Sequence, residues 1–167
     1  HTKYYAPCVS SLEVWEIDPE YEKPLKQNLP MAKVKITDSF HEIKHTSGKY
    51  SLIVVDNPMS TFGDYCEHFN LFPDIFRVVM DSSLLILNVI PEISESDRVK
   101  WPYLFNEMQL KSRREFYKTE HAEKISPEEM AAVYKNLCSE NRYELEWYFF
   151  KKRTVVYYFR SEDLREG

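Results

Sequence analysis

A chain of 167 residues, 43% of them hydrophobic, is long enough to bury one full core, and its 15% aromatic and 29% charged content excludes the disordered, collagen-like and membrane classes. The net charge of -5 argues against a broad electrostatic surface for nucleic acid, and no apolar run approaches the roughly 20 residues of a membrane-spanning helix. Cys8, Cys66 and Cys138 are far apart with no CxxC pair, so neither a disulfide framework nor a zinc site is encoded, and without a signal-peptide pattern the expected setting is reduced and cytoplasmic.

Leu12 to Ile17 (LEVWEI) has a short strand pattern, bounded by Ser10-Ser11 and Asp18-Pro19. The charged stretch from Pro19 to Asn28 carries a thin apolar row at Tyr21 and Leu25. Pro19 suits a first helical position, and Pro24 limits or kinks that helix. Ala32 to Thr37 alternates with period two, the mark of a half-buried or edge strand. Asp38 then offers an N-cap for a short helical turn, ended by the loop around Gly48.

Tyr50 to Asp56 and Ser82 to Ile90 are nearly continuous Leu/Ile/Val runs, the pattern of strands buried on both faces of a parallel sheet. Between them Asp64 to Met80 is expected to be helical, interrupted near Pro73. Val99 to Thr119 is a long helical candidate. Ser126 and Pro127-Glu128-Glu129 form the cap, proline first turn and acidic start of another helix, ending at Ser139. Tyr143 to Phe159 holds two aromatic β runs joined by Lys151, Lys152 and Arg153, which predicts an antiparallel hairpin. The order of elements specifies an α/β fold: one domain over residues 1–167, with a doubly wound, mostly parallel sheet, helices on both faces and a C-terminal antiparallel hairpin.

In an open parallel sheet, ligands bind beyond the carboxyl ends of the strands. The first strand here ends in Glu16-Ile17-Asp18, the second in Asp38-Ser39, and the third in Asp56-Asn57-Pro58. Glu16 sits in the strand pattern with no cap to serve, so its carboxylate is placed for the hydroxyls of a ribose, whereas Asp18 is expected to cap the following helix. Asp38 either accepts from an adenine amino group or caps the turn containing Phe40. His68 is a general-base candidate in a segment that would roof the site; alternatively Tyr65, Phe69 and Phe72 form a buried helical stripe and His68 is surface or cap. His41 and His45 have the i, i+4 spacing of metal ligands but lack a third, and no metal is expected. Lys111, Arg113, Arg114 and Lys118 cluster among Glu107, Glu115 and Glu120, as on an ion-paired exposed helix or at a phosphate contact.

Taken together, LEVWEIDPEYEKPLKQNLPMAKVKITDSF, YSLIVVDNP and SSLLILNVIP resemble the middle of a class I S-adenosylmethionine-dependent methyltransferase, over roughly Lys3 to Phe159. The resemblance implies S-adenosylmethionine as cofactor, with Glu16 and Ile17 at the ribose, Asp38 and Ser39 at the adenine, and Asp56, Asn57 and Pro58 bordering the reacting centre. The family's first strand and glycine-rich loop have no counterpart in these residues, and HTKYYAPCVSSLEV reads like the helix that follows that loop, so a missing N-terminal strand is expected. DNPM partly resembles the loop of amino-group methyltransferases. EIDP and VVD also resemble spermidine synthases, which makes aminopropyl transfer an alternative, as is a binding module that keeps the fold without the cofactor. The methyl acceptor is not encoded in any motif. The aromatic C-terminal hairpin offers an edge for pairing with a second copy.

Overall fold

In the computed structural model residues 2, 5–55, 61–62, 65–66, 68–92, 94–100, 102, 106–153 and 156–166 are described, with 61–62, 65–66, 97–98, 151–153 and 156–166 described by backbone alone. They form two compact units, His1–Ser47 and Gly48–Gly167.

In the first unit β1 (Leu12–Glu16) and β2 (Ala32–Ile36) pair in parallel, from Leu12 opposite Ala32 to Glu16 opposite Ile36. A 3-10 turn at Pro19–Tyr21, capped by Asp18 accepting from Glu20 N at 2.9 Å, leads into α1 (Glu22–Asn28). Because the helix proper starts at Glu22, Pro24 falls within its first turn, where a backbone N–H has no intrahelical acceptor to lose. α2 (Ser39–His45) buries Phe40 and Ile43, which join Ala6 and Leu29 in the small core of this unit. Ahead of β1, Ala6–Cys8 is a 3-10 turn.

The acids and bases interleaved in β1 and β2 pair across the strands. Glu13 Oε1 accepts from Lys35 Nζ at 2.8 Å and from Trp15 Nε1 at 2.6 Å, while Lys35 also reaches Glu42 Oε1 on α2 at 2.6 Å. Partial burial raises the Glu13 pKa, but hydrogen bonds from Lys35, Trp15 and Lys33 together outweigh it and bring the carboxyl to about 2. The polar residues of the period-two pattern thus tie β1, β2 and α2 together instead of merely facing solvent.

In the second unit β3 (Tyr50–Val55) is followed by two short strands, β4 (Thr61–Phe62) and β5 (Tyr65–Cys66), paired antiparallel. The helix expected over Asp64 to Met80 shrinks to α3 (Phe72–Ile75), and the next strand, β6 (Val79–Val89), begins earlier than its apolar run. Thr61, Phe62, Tyr65 and Cys66 are β-prone residues flanking Gly63-Asp64, a two-residue hairpin signal that overrides a weak helical periodicity. Pro73 belongs to the first turn of α3 and does not interrupt a longer helix.

β6 pairs in parallel with β3, and the register slips between Tyr50 opposite Val79 and Leu52 opposite Leu84. The extra residues bulge out, and Ser83 closes the bulge: its Oγ donates to Tyr50 O at 2.8 Å and accepts from Met80 N at 3.0 Å.

The single long helix expected from Val99 is two, α4 (Glu95–Lys100) and α5 (Glu107–Tyr117), with Pro102 between them. Asn106 caps α5 through Gln109 N at 2.8 Å, and the helix ends at Lys118 in the left-handed region (φ 54). α6 (Pro127–Glu140) starts with the expected Ser126 cap in a full capping box: Glu129 N donates to Ser126 Oγ at 3.1 Å and Ser126 N to Glu129 Oε2 at 2.7 Å. β7 (Tyr143–Arg153) and β8 (Val156–Glu166) pair antiparallel, and the sheet order is β3-β6-β8-β7. Leu85, Leu87, Val89 and Ile90 of β6 and its end pack inside with Phe69, Phe72 and Ile75, under Leu110, Tyr117, Met130 and Tyr134 from α5 and α6.

Candidate functional site

The parallel pairing of β1 and β2 brings two of the expected site elements to one end of one sheet. Glu16 closes β1 directly opposite Ile36 of β2, and Thr37 N donates to Glu16 O at 2.8 Å, extending the ladder past the last paired residues. Glu16-Ile17 and Asp38-Ser39 therefore leave the sheet side by side. Glu16 is half-buried, and its Oε1 accepts from Asp18 N at 3.0 Å, which fixes the carboxylate at the strand end. Among the described residues no donor reaches Oε2. Ile17 beside it is 43% exposed, an apolar surface adjoining a fixed acceptor.

Asp38 performs the capping role: Oδ1 accepts from Phe40 N at 2.8 Å, and its carbonyl accepts from Glu42 N at 2.8 Å. Ser39 is the first residue of α2. The capping bond uses one oxygen of Asp38, so the cap and an acceptor role are compatible. The donor set, an anchored carboxylate with one oxygen that no donor among the described residues reaches, an adjoining apolar residue and a second carboxylate one strand away, fits a ribose and a purine edge.

Asp56, Asn57 and Pro58 lie outside the described residues, immediately after β3, whose last residue Val55 is buried opposite Leu87 of β6.

His68 lies neither at a surface nor at a helix cap. It is 1% exposed, with Phe69, Phe72, Phe116 and Tyr134 around its ring at centroid distances of 5.1 to 5.8 Å. Its Nε2 is 2.5 Å from Tyr134 Oη, which in turn is 2.9 Å from Tyr117 Oη. Burial, and then the nearby Arg113 charge, push its pKa down to about 3, so the imidazole is neutral at any ordinary pH. A base that weak and that enclosed is in no position to take a proton from a substrate, which replaces the general-base expectation for His68 with a structural one.

The basic cluster on α5 divides in the same way. Arg114 pairs with Glu107 at 2.5 Å and Lys111 with Glu115 at 3.9 Å, both exposed, as an ion-paired helix requires. Arg113 points inward: it is 1% exposed, donating from Nε to Ala122 O at 2.9 Å and from Nη2 to Ile90 O at 2.5 Å. Ile90 directly follows β6, and Ile125 N donates to Pro91 O at 2.7 Å. Arg113 thereby clamps the carboxyl end of β6 to the turn between α5 and α6. The signal for this was the 109–113–117 spacing, which puts Gln109, Arg113 and Tyr117 on one buried face; hydropathy alone hides it.

The rings of His41 and His45 stack at 4.2 Å between centroids on an exposed face of α2, and His45 Nδ1 is 2.8 Å from His41 O. Among the described residues no group of three His, Cys, Asp or Glu side chains could hold a metal ion, and no helix is long and apolar enough to cross a membrane.

No protein-family model matches the sequence, and no curated protein matches it. Solved structures do match by shape. The N-methyltransferase NodS from Bradyrhizobium japonicum WM9, in complex with S-adenosyl-L-homocysteine, aligns over 97% of this chain and 71% of its own, with TM-score 0.54 and 12% identity. Magnesium protoporphyrin IX methyltransferase (ChlM) from Synechocystis PCC 6803, with bound S-adenosylhomocysteine, aligns over 98% and 68%, with TM-score 0.57 and 12% identity. An S-adenosylmethionine-dependent methyltransferase from Methanosarcina mazei aligns over 98% and 86%, with TM-score 0.56 and 14% identity. At such identities the likeness is one of fold. The chain has a class I methyltransferase-like α/β fold.

Proposed function

We propose that the protein is an S-adenosylmethionine-dependent methyltransferase, acting in the cytoplasm on a nucleophile whose identity the chain does not encode. The observation that carries this is the Glu16 carboxylate, anchored through Oε1 by Asp18 N at the carboxyl end of β1, on a fold shared with proteins solved with S-adenosylhomocysteine. In this reading Glu16 holds the ribose hydroxyls through Oε2, Ile17 lies against the sugar and base, and Asp38 and Ser39 meet the adenine edge beside the α2 cap. Bound there, S-adenosylmethionine supplies an electrophilic methyl group. The chain's own residues then have to place a nucleophile in line and exclude water, so no strong base is required. Asp56, Asn57 and Pro58 are assigned to the border of that centre. His68, enclosed by Phe69, Phe72, Phe116 and Tyr134, has a structural role in the core rather than a catalytic one.

Isothermal titration calorimetry with S-adenosylhomocysteine tests the assignment on the parent chain and on Glu16→Ala. Losing two charge-assisted hydrogen bonds should weaken binding about 100-fold. No binding by the parent overturns the cofactor assignment, and equal binding by the variant overturns the role of Glu16.

A further inference from the structure

β7 is the last strand of the order β3-β6-β8-β7, and among the described residues no strand lies beyond it. It runs for 11 residues, Tyr143–Arg153, in unbroken register with β8 and with no proline. That is about twice the length of an average strand, and a long flat edge is what natural proteins blunt with prolines, bulges or short strands. Those three are absent from β7, and the charged side chains that also blunt an edge are grouped at its two ends. Instead the residues are ordered by type: Glu144 and Glu146 in the first half, the aromatic block Trp147 to Phe150 in the middle, and Lys151, Lys152 and Arg153 at the end.

Glu144 and Glu146 are exposed, as are Tyr148 at 41% and Phe149 at 42%. The rings alternate between the two faces of the strand, with Trp147 stacked on Phe149 at 6.0 Å and Tyr148 edge-on to Phe150 at 5.7 Å. Read backwards, such a strand can set Glu146 against Lys152 across its aromatic centre.

We propose that β7 pairs antiparallel with β7 of a second copy about a two-fold axis, joining the two four-stranded sheets into one. Identical edges facing each other across a closed interface require an axis perpendicular to the sheet. Such an axis keeps each face on its own side, so residues that meet must belong to the same face. The register centred on Phe149 sets Glu146 opposite Lys152 of the partner subunit, Tyr148 opposite Phe150 of the partner subunit, and Trp147 opposite Lys151 of the partner subunit. Opposite charges and aromatic pairs at facing positions are the favourable cross-strand combinations, and each occurs twice by symmetry. A parallel docking of the same edges would oppose Glu to Glu and Lys to Lys.

Sedimentation velocity of the 167-residue chain over a range of protein concentrations tests the proposal, with circular dichroism to confirm that each variant is folded. The parent should dimerise. Glu146→Lys and Lys152→Glu should each weaken dimerisation about tenfold or more, and the double variant should restore it, because the swapped charges again face their opposites. Independently, Phe149→Cys places a thiol on the axis, where facing Cα atoms are about 4.5 to 5.5 Å apart, within disulfide range. Mild oxidation should then give a covalent dimer whose link maps to position 149 by peptide mass. A parent that stays monomeric, single variants that dimerise as well as the parent, a double variant that does not recover, or a link that maps elsewhere would each overturn the proposal.

Discussion

His68 gives the sharpest prediction, because it places a titratable group at 1% exposure with no carboxylate among the groups around it that the hydrogen bonds and ring contacts identify. Its neighbours are Phe69, Phe72, Phe116 and Tyr134, with Tyr117 and the Arg113 cation behind. Burial first, and Arg113 second, disfavour the imidazolium and lower the folded-state pKa to about 3 from the usual 6.5. The unfolded chain therefore binds one more proton than the folded protein between those two values. The contribution is fully present above pH 6.5 and is lost on acidification, at about 1.4 kcal/mol per pH unit. By about pH 5 the loss reaches about 2 kcal/mol, a substantial part of the 5 to 15 kcal/mol that holds a typical domain together. Urea unfolding at a series of pH values, run on the parent and on His68→Gln, isolates this term. Glutamine does not titrate, so the variant lacks the extra slope whatever its own stability, and the exposed His41, His45 and His121 contribute alike to both proteins. The His68 ring should also show no protonation shift by NMR down to about pH 4. Equal slopes for the two proteins, or a His68 ring that titrates near 6.5, would refute the buried neutral imidazole.

Two further outcomes follow from the same core. Tyr134→Phe removes the hydroxyl that joins His68 Nε2 to Tyr117 Oη and leaves buried polar atoms behind, so denaturant unfolding should show a loss of about 1 to 3 kcal/mol. The double variant Tyr134→Phe/Tyr117→Phe should lose less than the sum of the two single changes, because the partners share one chain of hydrogen bonds. Ser126→Ala removes the acceptor of the capping box at the start of α6 and should cost about 1 kcal/mol, read as a lower thermal midpoint with an unchanged far-ultraviolet spectrum.

Local chemistry wrote several elements plainly. Ser126-Pro127-Glu128-Glu129 carries its own start signal, and α6 begins where the cap requires. Asp38 caps α2 through Phe40 N because a short carboxylate ahead of a helix satisfies one of its orphan donors wherever the rest of the chain lies. The apolar runs of β3 and of the second half of β6 could be read as buried parallel strands, since continuous Leu/Ile/Val leaves no face for water. Glu16 was legible as a strand-end residue because Asp18-Pro19 stops the strand pattern just after it, whereas Glu13, an acid of the same strand, lies inside it.

Tertiary packing decided the rest. The stretch before β6 has helical periodicity but folds as β5, α3 and an early strand start, and Ser83 satisfies the backbone of a bulge in β6 that no periodicity announces. Arg113 and Arg114 are neighbours in sequence with the same formal charge, yet a 100° step around a helix sends one into the core to bind Ile90 O and the other to solvent with Glu107. His68 carried the signature of a base, and its protonation is set by rings contributed from α5 and α6, far along the chain. Local sequence was enough for the caps, the long apolar strands and the strand-end acids, because those depend on neighbours within a few residues. Only the folded structure decided which polar side chains are enclosed, because desolvation depends on what distant elements place around a group.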